Sequence, residues 1–203
     1  MDQSDARRPY HHGDLKAALL EQAEIILERD GIQALTLRAA ARAAGVSHAA
    51  PANHFGDLTG LLSELAAVGF RRFSAMLSAA RATGEDRPAG ARGMGHAYVT
   101  FARTYPNLFA LMFRGERLDT DRPALREALD EAASVLRSTT AGASGGGTPS
   151  RAAAQAAARW SLVHGFAMLL LDGRLAALVA SLPAGEGADD LLEAVLAVTR
   201  FGD

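Results

Sequence analysis

Ser47, His48 and Asn53 carry hydrogen-bonding side chains close together in TLRAAARAAGVSHAAPANHFGDLTGLL, residues 36–62. An Asn amide can make a two-bond pair with adenine, and a His ring can bond a purine N7 or O6. The methyl of Ala49 or Ala50 can meet a thymine methyl. Thr36, Arg38, Arg42 and His54 flank these residues with donors suited to phosphate oxygens. Other reactive sets are missing or scattered. The chain has no cysteine, which excludes disulfide frameworks, thiolate catalysis and Cys-based zinc sites. It has no G-x-S-x-G, Walker loop or H-E-x-x-H. His11–His12 is the densest histidine pair, but it lies in a polar arm without nearby ligands, so no metal is expected. Asp189–Asp190 opens a predicted helix, where carboxylates complement the dipole and do not form a catalytic pair. Neither an enzyme nor a cofactor is expected.

Side chains of this kind need a rigid frame, and the spacing predicts one. Thr36 is a helix N-cap, and Leu37, Ala40, Ala41 and Ala44 give an apolar face. Gly45 falls where a helix ends in a left-handed residue, and Val46 supplies the apolar contact that follows. Ser47 is expected to cap a second helix over 48–54. Pro51 sits about one turn in, where a missing donor costs little. Helix, Gly-containing turn and helix make a helix-turn-helix.

The rest of the chain also reads as helix. A helix over 14–30, with Leu15, Leu19, Leu20, Ala23, Ile26 and Ile25 or Leu27 on its buried stripe, comes first and ends at Gly31. Gly56–Asp57 breaks the chain before a helix over 58–78. Further helices are predicted over 89–104, 107–113, 123–138, 151–181 and 189–201. STTAGASGGGTPS, residues 138–150, is read as a flexible loop. The segment 160–171 is apolar nearly all round, so it is covered on more than one side. No strand-like alternation appears. The prediction is an all-α chain of about nine helices by periodicity, with a helix-turn-helix unit over 1–60 and a larger helical portion over 61–203.

Composition sets the outer bounds. At 203 residues and 49% apolar, the chain can bury a sizeable core. A formal charge of −2 gives no global basic field. No apolar segment follows Arg7 and Arg8 as in a secretory signal. The longest apolar run, 166–171, is too short for a bilayer. A soluble, cytoplasmic chain with no membrane partner is expected.

The 36–62 stretch resembles the TetR family of transcriptional regulators. Thr36, Ala40, Ala41, Ala44, Gly45, Val46, Ser47, His54 and Phe55 stand at that family's motif positions, and Leu61–Leu62 match the start of its fourth helix. GDLKAALLEQA, residues 13–23, is similar to one branch. Trp160, His164 and Gly165 in WSLVHGFAMLLLDGRL resemble the C-terminal domain of that branch, which is named for its Trp-His-Gly signature. The resemblance implies a homodimer, most often a repressor, that binds a palindromic operator in double-stranded DNA. It also implies release when a small-molecule effector enters the C-terminal domain.

In that frame, base reading falls to Ser47, His48, Ala49, Ala50 and Asn53, and phosphate contact to Thr36, Arg38, Arg42 and His54. Two positions depart from the family. Ala52 stands where an aromatic residue, usually Tyr, is found, and Leu58 where Lys is usual. Residues 1–65 carry six Lys and Arg against nine Asp and Glu. Phosphate neutralisation supplies much of DNA affinity, so binding should be weakened at every sequence alike. Arg7 and Arg8 are candidates to compensate by reaching a minor groove or phosphates.

An apolar or amphipathic effector would be lined by Phe73, Met76, Phe101, Tyr105, Phe109, Met112, Trp160, His164 and Met168, unless these residues only pack the core. Tyr105, Trp160 and His164 are the polar handles. His164 reads equally as a buried, hydrogen-bonded histidine beside a Gly that lets another helix approach. Phe166, Leu170, Leu191, Leu192, Val195 and Leu196 are expected at the dimer interface. The rival reading is a helical dimer with weakened DNA binding that acts through a protein partner.

Overall fold

The computed structural model describes residues 12–113, 117–138 and 148–198. The Arg7–Arg8 arm, His11, most of the 138–150 loop and the predicted helix end at Phe201 lie outside the described residues. Among the described residues ten helices follow in order: α1 His12–Asp30, α2 Leu37–Ala43, α3 Ala50–Phe55, α4 Leu58–Ala82, α5 Arg87–Thr104, α6 Pro106–Met112, α7 Pro123–Arg137, α8 Pro149–Leu171, α9 Ala176–Ala180 and α10 Ala188–Val198. No strand occurs among the described residues. The chain is all-α.

Local chemistry sets most of the helix ends. Thr36 Oγ1 accepts from Ala39 N at 3.0 Å and caps α2. At the other end Gly45 takes φ +68°. Gly45 N donates to Arg42 O at 3.2 Å, and Val46 N to Ala41 O at 3.0 Å. This paired closure satisfies the last carbonyls of α2. Asp57 caps α4 through Gly60 N at 2.8 Å. Asp86 caps α5 through Ala89 N at 2.7 Å. Both carboxylates also complement the helix dipole.

Two expectations need correction. Ser47 does not cap α3, which begins at Ala50 with Ala49 as a cap that makes no side-chain bond. Pro51 therefore stands in the first turn, where its missing donor would be unpaired in any case. The helix predicted over 151–181 is two helices. Gly173 at φ +70° ends α8, with Gly173 N on Leu170 O at 3.0 Å and Arg174 N on Leu169 O at 2.9 Å. Leu175 then turns into the core, and the short α9 follows. This raises the count from about nine predicted by periodicity to ten among the described residues.

α4 is the axis of the molecule. Its 25 residues span about 37 Å, and it packs against α1, α3, α5, α6 and α7. Leu19, Ala23 and Leu27 of α1 close one end of the core with Phe55, Leu61 and Leu65. Phe73, Tyr98, Phe101 and Phe109 fill the other part, all fully buried. Phe73 meets Tyr98 and Phe101 edge-on, with ring centroids 4.9 and 5.2 Å away. Such pairs contribute about 0.5–1.5 kcal/mol each beyond the burial of their area.

Candidate nucleic-acid interface and interior site

α3 has six residues, too few to stand alone in water. Two side chains hold it down. Pro51 and Phe55 are buried, while Ser47, His48, Ala49, Ala52 and Asn53 are exposed and Ala50 and His54 are half-buried. The candidate base-reading residues therefore share one solvent-facing surface, formed by the turn before α3 and the outer side of α3. Ser47, His48 and Ala49 stand in the turn and not on the helix. Arg38 and Arg42 are exposed on α2, and no ion pair with another described residue holds either one. Thr36 spends its acceptor on the α2 cap but keeps its O–H free to donate. Ala52 and Leu58 are both exposed, so the two departures from the family lie at the surface.

The interior site joins α5 to α8. Trp160 and His164 are one turn apart on α8, and both reach Tyr98 on α5. Trp160 Nε1–H donates to the Tyr98 hydroxyl at 3.2 Å. The hydroxyl lies 2.9 Å from His164 Nδ1. Indole N–H only donates, so the single Tyr98 proton is left for Nδ1, and the His164 proton belongs on Nε2. Burial lowers the His164 pKa from its ordinary value and favours the neutral ring this arrangement needs. Burial likewise pushes the Tyr98 hydroxyl well above the usual phenol range, with Trp160 acting against the shift. The rings of Phe109 and Phe113 cover His164, with centroids 5.7 and 4.7 Å away. In the sequence Tyr98 is only one of the aromatics of its helix, because its partners are far along the chain.

The nine residues expected to line a pocket do not form one wall. Phe73, Phe101, Phe109 and Met112 are buried in the closed aromatic core, and Met76 packs at its edge. Trp160 is 42% exposed and Met168 38%, so Met168 points away from this interior. Tyr105 faces a different place. The Arg72 guanidinium lies 4.7 Å from its ring centroid. Together they border an open cleft of about 400 Å³ with Glu21, Glu24, Ile25, Glu28 and Thr104.

The expected dimer residues also divide. Phe166 is 6% exposed and Leu192 1%, because each turns inward against the chain's own core. Neither is available to a second copy. Leu170, Leu191, Val195 and Leu196 are partly buried against that core. The apolar surface left open on α8 is formed by Trp160, Met168 and Leu169. A Cβ placed on Gly165, on the same helix, would meet nothing within 4 Å, so no described helix of this chain uses that gap.

Three polar links fasten α1 to the rest, and no sequence motif marks them. Glu28 at the end of α1 accepts from Asn107 N at 3.2 Å and Leu108 N at 2.8 Å. It thereby caps α6, whose own Tyr105 cap provides no side-chain bond. Arg72 of α4 holds Glu24 of α1 through two bonds, which raises the Arg72 pKa. Glu64 on α4 is buried between Lys16 of α1 at 2.9 Å and Arg122 at 3.3 Å. The charge types are visible in the sequence, but each pair is tens of residues apart and no local spacing marks it.

A helix-turn-helix carried on a larger helical body defines a class of DNA-binding regulators that are not enzymes. The tetracyclin repressor-like C-terminal domain matches residues 91–198, more than half of the chain. A Rhodococcus sp. RHA1 protein of unknown function is 35% identical, with 95% of this chain and 96% of that chain aligned at a TM-score of 0.78. The TetR family transcriptional regulator PfmR from Thermus thermophilus shares the fold at 20% identity, 89% and 95% coverage and TM-score 0.60. ActR from Streptomyces coelicolor shares it at 19% identity, 95% and 96% coverage and TM-score 0.56. No curated protein matches the sequence. The chain belongs to the TetR family of transcriptional regulators. Among the described residues, no helix is long and apolar enough to cross a membrane.

Proposed function

We propose that the chain is a homodimeric repressor that reads a palindromic operator and is released by a small apolar or amphipathic effector. Residues 1–60 are the reading unit, and 61–203 carry the effector site and the dimer interface. The observation that carries this reading is the surface of Ser47, His48, Ala49 and Asn53, held down by Pro51 and Phe55 and flanked by exposed Arg38 and Arg42, which form no ion pair among the described residues. His48 and Asn53 supply base-edge bonds, and Ala49 and Ala50 supply small apolar contacts. Thr36, Arg38, Arg42 and His54 hold phosphates.

The effector site lies where Phe73, Phe101, Phe109, Met112, Trp160 and His164 converge around Tyr98. That interior is packed, so an effector enters by displacing aromatic rings, and half-exposed Trp160 is the natural door. The resulting shift of α4 changes the separation of the two reading units, which must sit about 34 Å apart. The second copy docks on the open α8 surface with Leu170, Leu191, Val195 and Leu196.

The test uses the DNA immediately upstream of the chain's own gene. Fluorescence anisotropy is measured against a scrambled duplex over a range of salt. Preference for the upstream DNA, with affinity falling steeply as salt rises, supports the reading. Equal, shallow binding to both duplexes favours the protein-partner reading, which rests on exposed Ala52 and Leu58 where phosphate contacts would stand.

A further inference from the structure

We propose that Arg122 is a positioning residue for DNA reading, which fixes the C-terminal end of α3 directly from the start of α7. The inference rests on the reading of α3 as the recognition helix. It adds a second path of control beside α4.

Arg122 immediately precedes Pro123, and a residue before proline is driven out of the helical region. It accordingly sits at φ −63°, ψ 124°, and its side chain extends toward α4 and α3. Nη2 donates to the Phe55 carbonyl at 2.7 Å. That carbonyl ends α3 and has no partner further along its own helix. Nη1 pairs with buried Glu64 at 3.3 Å. A cation at a helix C-terminus also meets the negative end of the helix dipole.

The first turn of α4 is built around this reach. A Cβ on Gly60 would lie 2.3 Å from Arg122 Nη2 and 1.9 Å from Phe55 O. Only a glycine lets the guanidinium and the carbonyl meet there. The third guanidinium nitrogen, Nε, is buried without an acceptor among the described residues. The placement therefore follows the two groups it joins and not the full satisfaction of the side chain. The neighbouring loop is tied to α4 as well, since Asp119 N donates to Ser63 Oγ at 2.8 Å. Movement of α7 along α4 thus reaches the recognition helix through one side chain.

Hydrogen exchange on the free, full-length protein tests this with Arg122→Ala, Arg122→Lys and Gly60→Ala. Arg71→Ala is the control, because Arg71 bonds α7 at the Ala124 carbonyl without touching α3. In Arg122→Ala and Gly60→Ala, the Asn53 and Gly56 amides should exchange about tenfold faster while α1 and the middle of α4 keep their protection. Arg122→Lys, which cannot bridge both acceptors with a planar fork, should not restore protection. Affinity for the upstream DNA should fall about tenfold with an unchanged salt slope, since Arg122 touches no phosphate. Exchange at α3 equal to that of Arg71→Ala overturns the proposal. So does equal acceleration throughout α4, which would make Arg122 a general staple of the core. If the unmodified chain shows no DNA preference, the regulatory reading fails, and the exchange pattern still decides whether Arg122 holds α3.

Discussion

At Leu58 an apolar side chain is 37% exposed beside the reading surface, at the start of α4. The family usually places Lys there, where it meets the DNA backbone. Leu58 lies at the surface and its side chain offers no donor, so replacing it should cost the fold much less than replacing a core leucine. Leu58→Lys should tighten binding to every duplex by a similar factor. It should also steepen the dependence of log affinity on log salt by about 0.9 for each phosphate gained. The ratio between upstream and scrambled DNA should stay the same. Anisotropy titrations over salt check this, and a change in sequence preference would show that Leu58 acts on bases instead. Asn53 and His48 differ in kind: in the proposed reading they meet base edges, so their replacement should alter preference as well as strength.

The packed α5–α8 contact has the Tyr98 hydroxyl as its polar junction. Tyr98→Phe strips Trp160 of its acceptor and His164 of its donor, and should cost about 1–3 kcal/mol in urea unfolding. The same contact makes stability depend on pH. The folded His164 pKa lies below the ordinary value of 6.5. The unfolded chain therefore binds the proton first as pH falls. The stability is fully present above 6.5 and is lost as pH drops through and below it, toward the folded value. Urea midpoints taken across this range should fall on the acid side. The slope should flatten in His164→Asn, which keeps an acceptor near Nδ1 but does not titrate.

Sequence pattern reveals elements unevenly, and the reason is range. The close of α2 at Gly45 and Val46 is legible because a few neighbouring residues settle it. The break at Gly173 is not, because an apolar run continues past it and one glycine within a helical pattern is a weak stop. The four-residue spacing of Trp160 and His164 places both on one face. Their partner Tyr98 lies 62 and 66 positions away, and nothing local points to it. For the same reason Phe166 and Leu192 read as dimer residues in the sequence and are core residues in the fold. An apolar stripe shows that a face is covered, not by which chain.

On the scale of the whole molecule, the exposed surface of Trp160, Met168 and Leu169 on α8 is where the proposed second copy docks. Leu169 is 43% exposed and takes no part in the Tyr98 contact. Leu169→Glu should leave thermal unfolding of the single chain nearly unchanged and give a monomer at micromolar concentration by sedimentation. Upstream DNA preference should fall with it, since one reading unit sees half a palindrome. A Leu169→Glu protein that remains dimeric would put the interface elsewhere. The division of labour within α3 has a consequence for how such regulators diverge. Pro51 and Phe55 hold the helix from within, while the side chains of Ser47, His48, Ala49, Ala52 and Asn53 face outward. Substitutions at those outward positions are nearly neutral for folding, so one scaffold can be retargeted to a new operator by single mutations while every intermediate still folds.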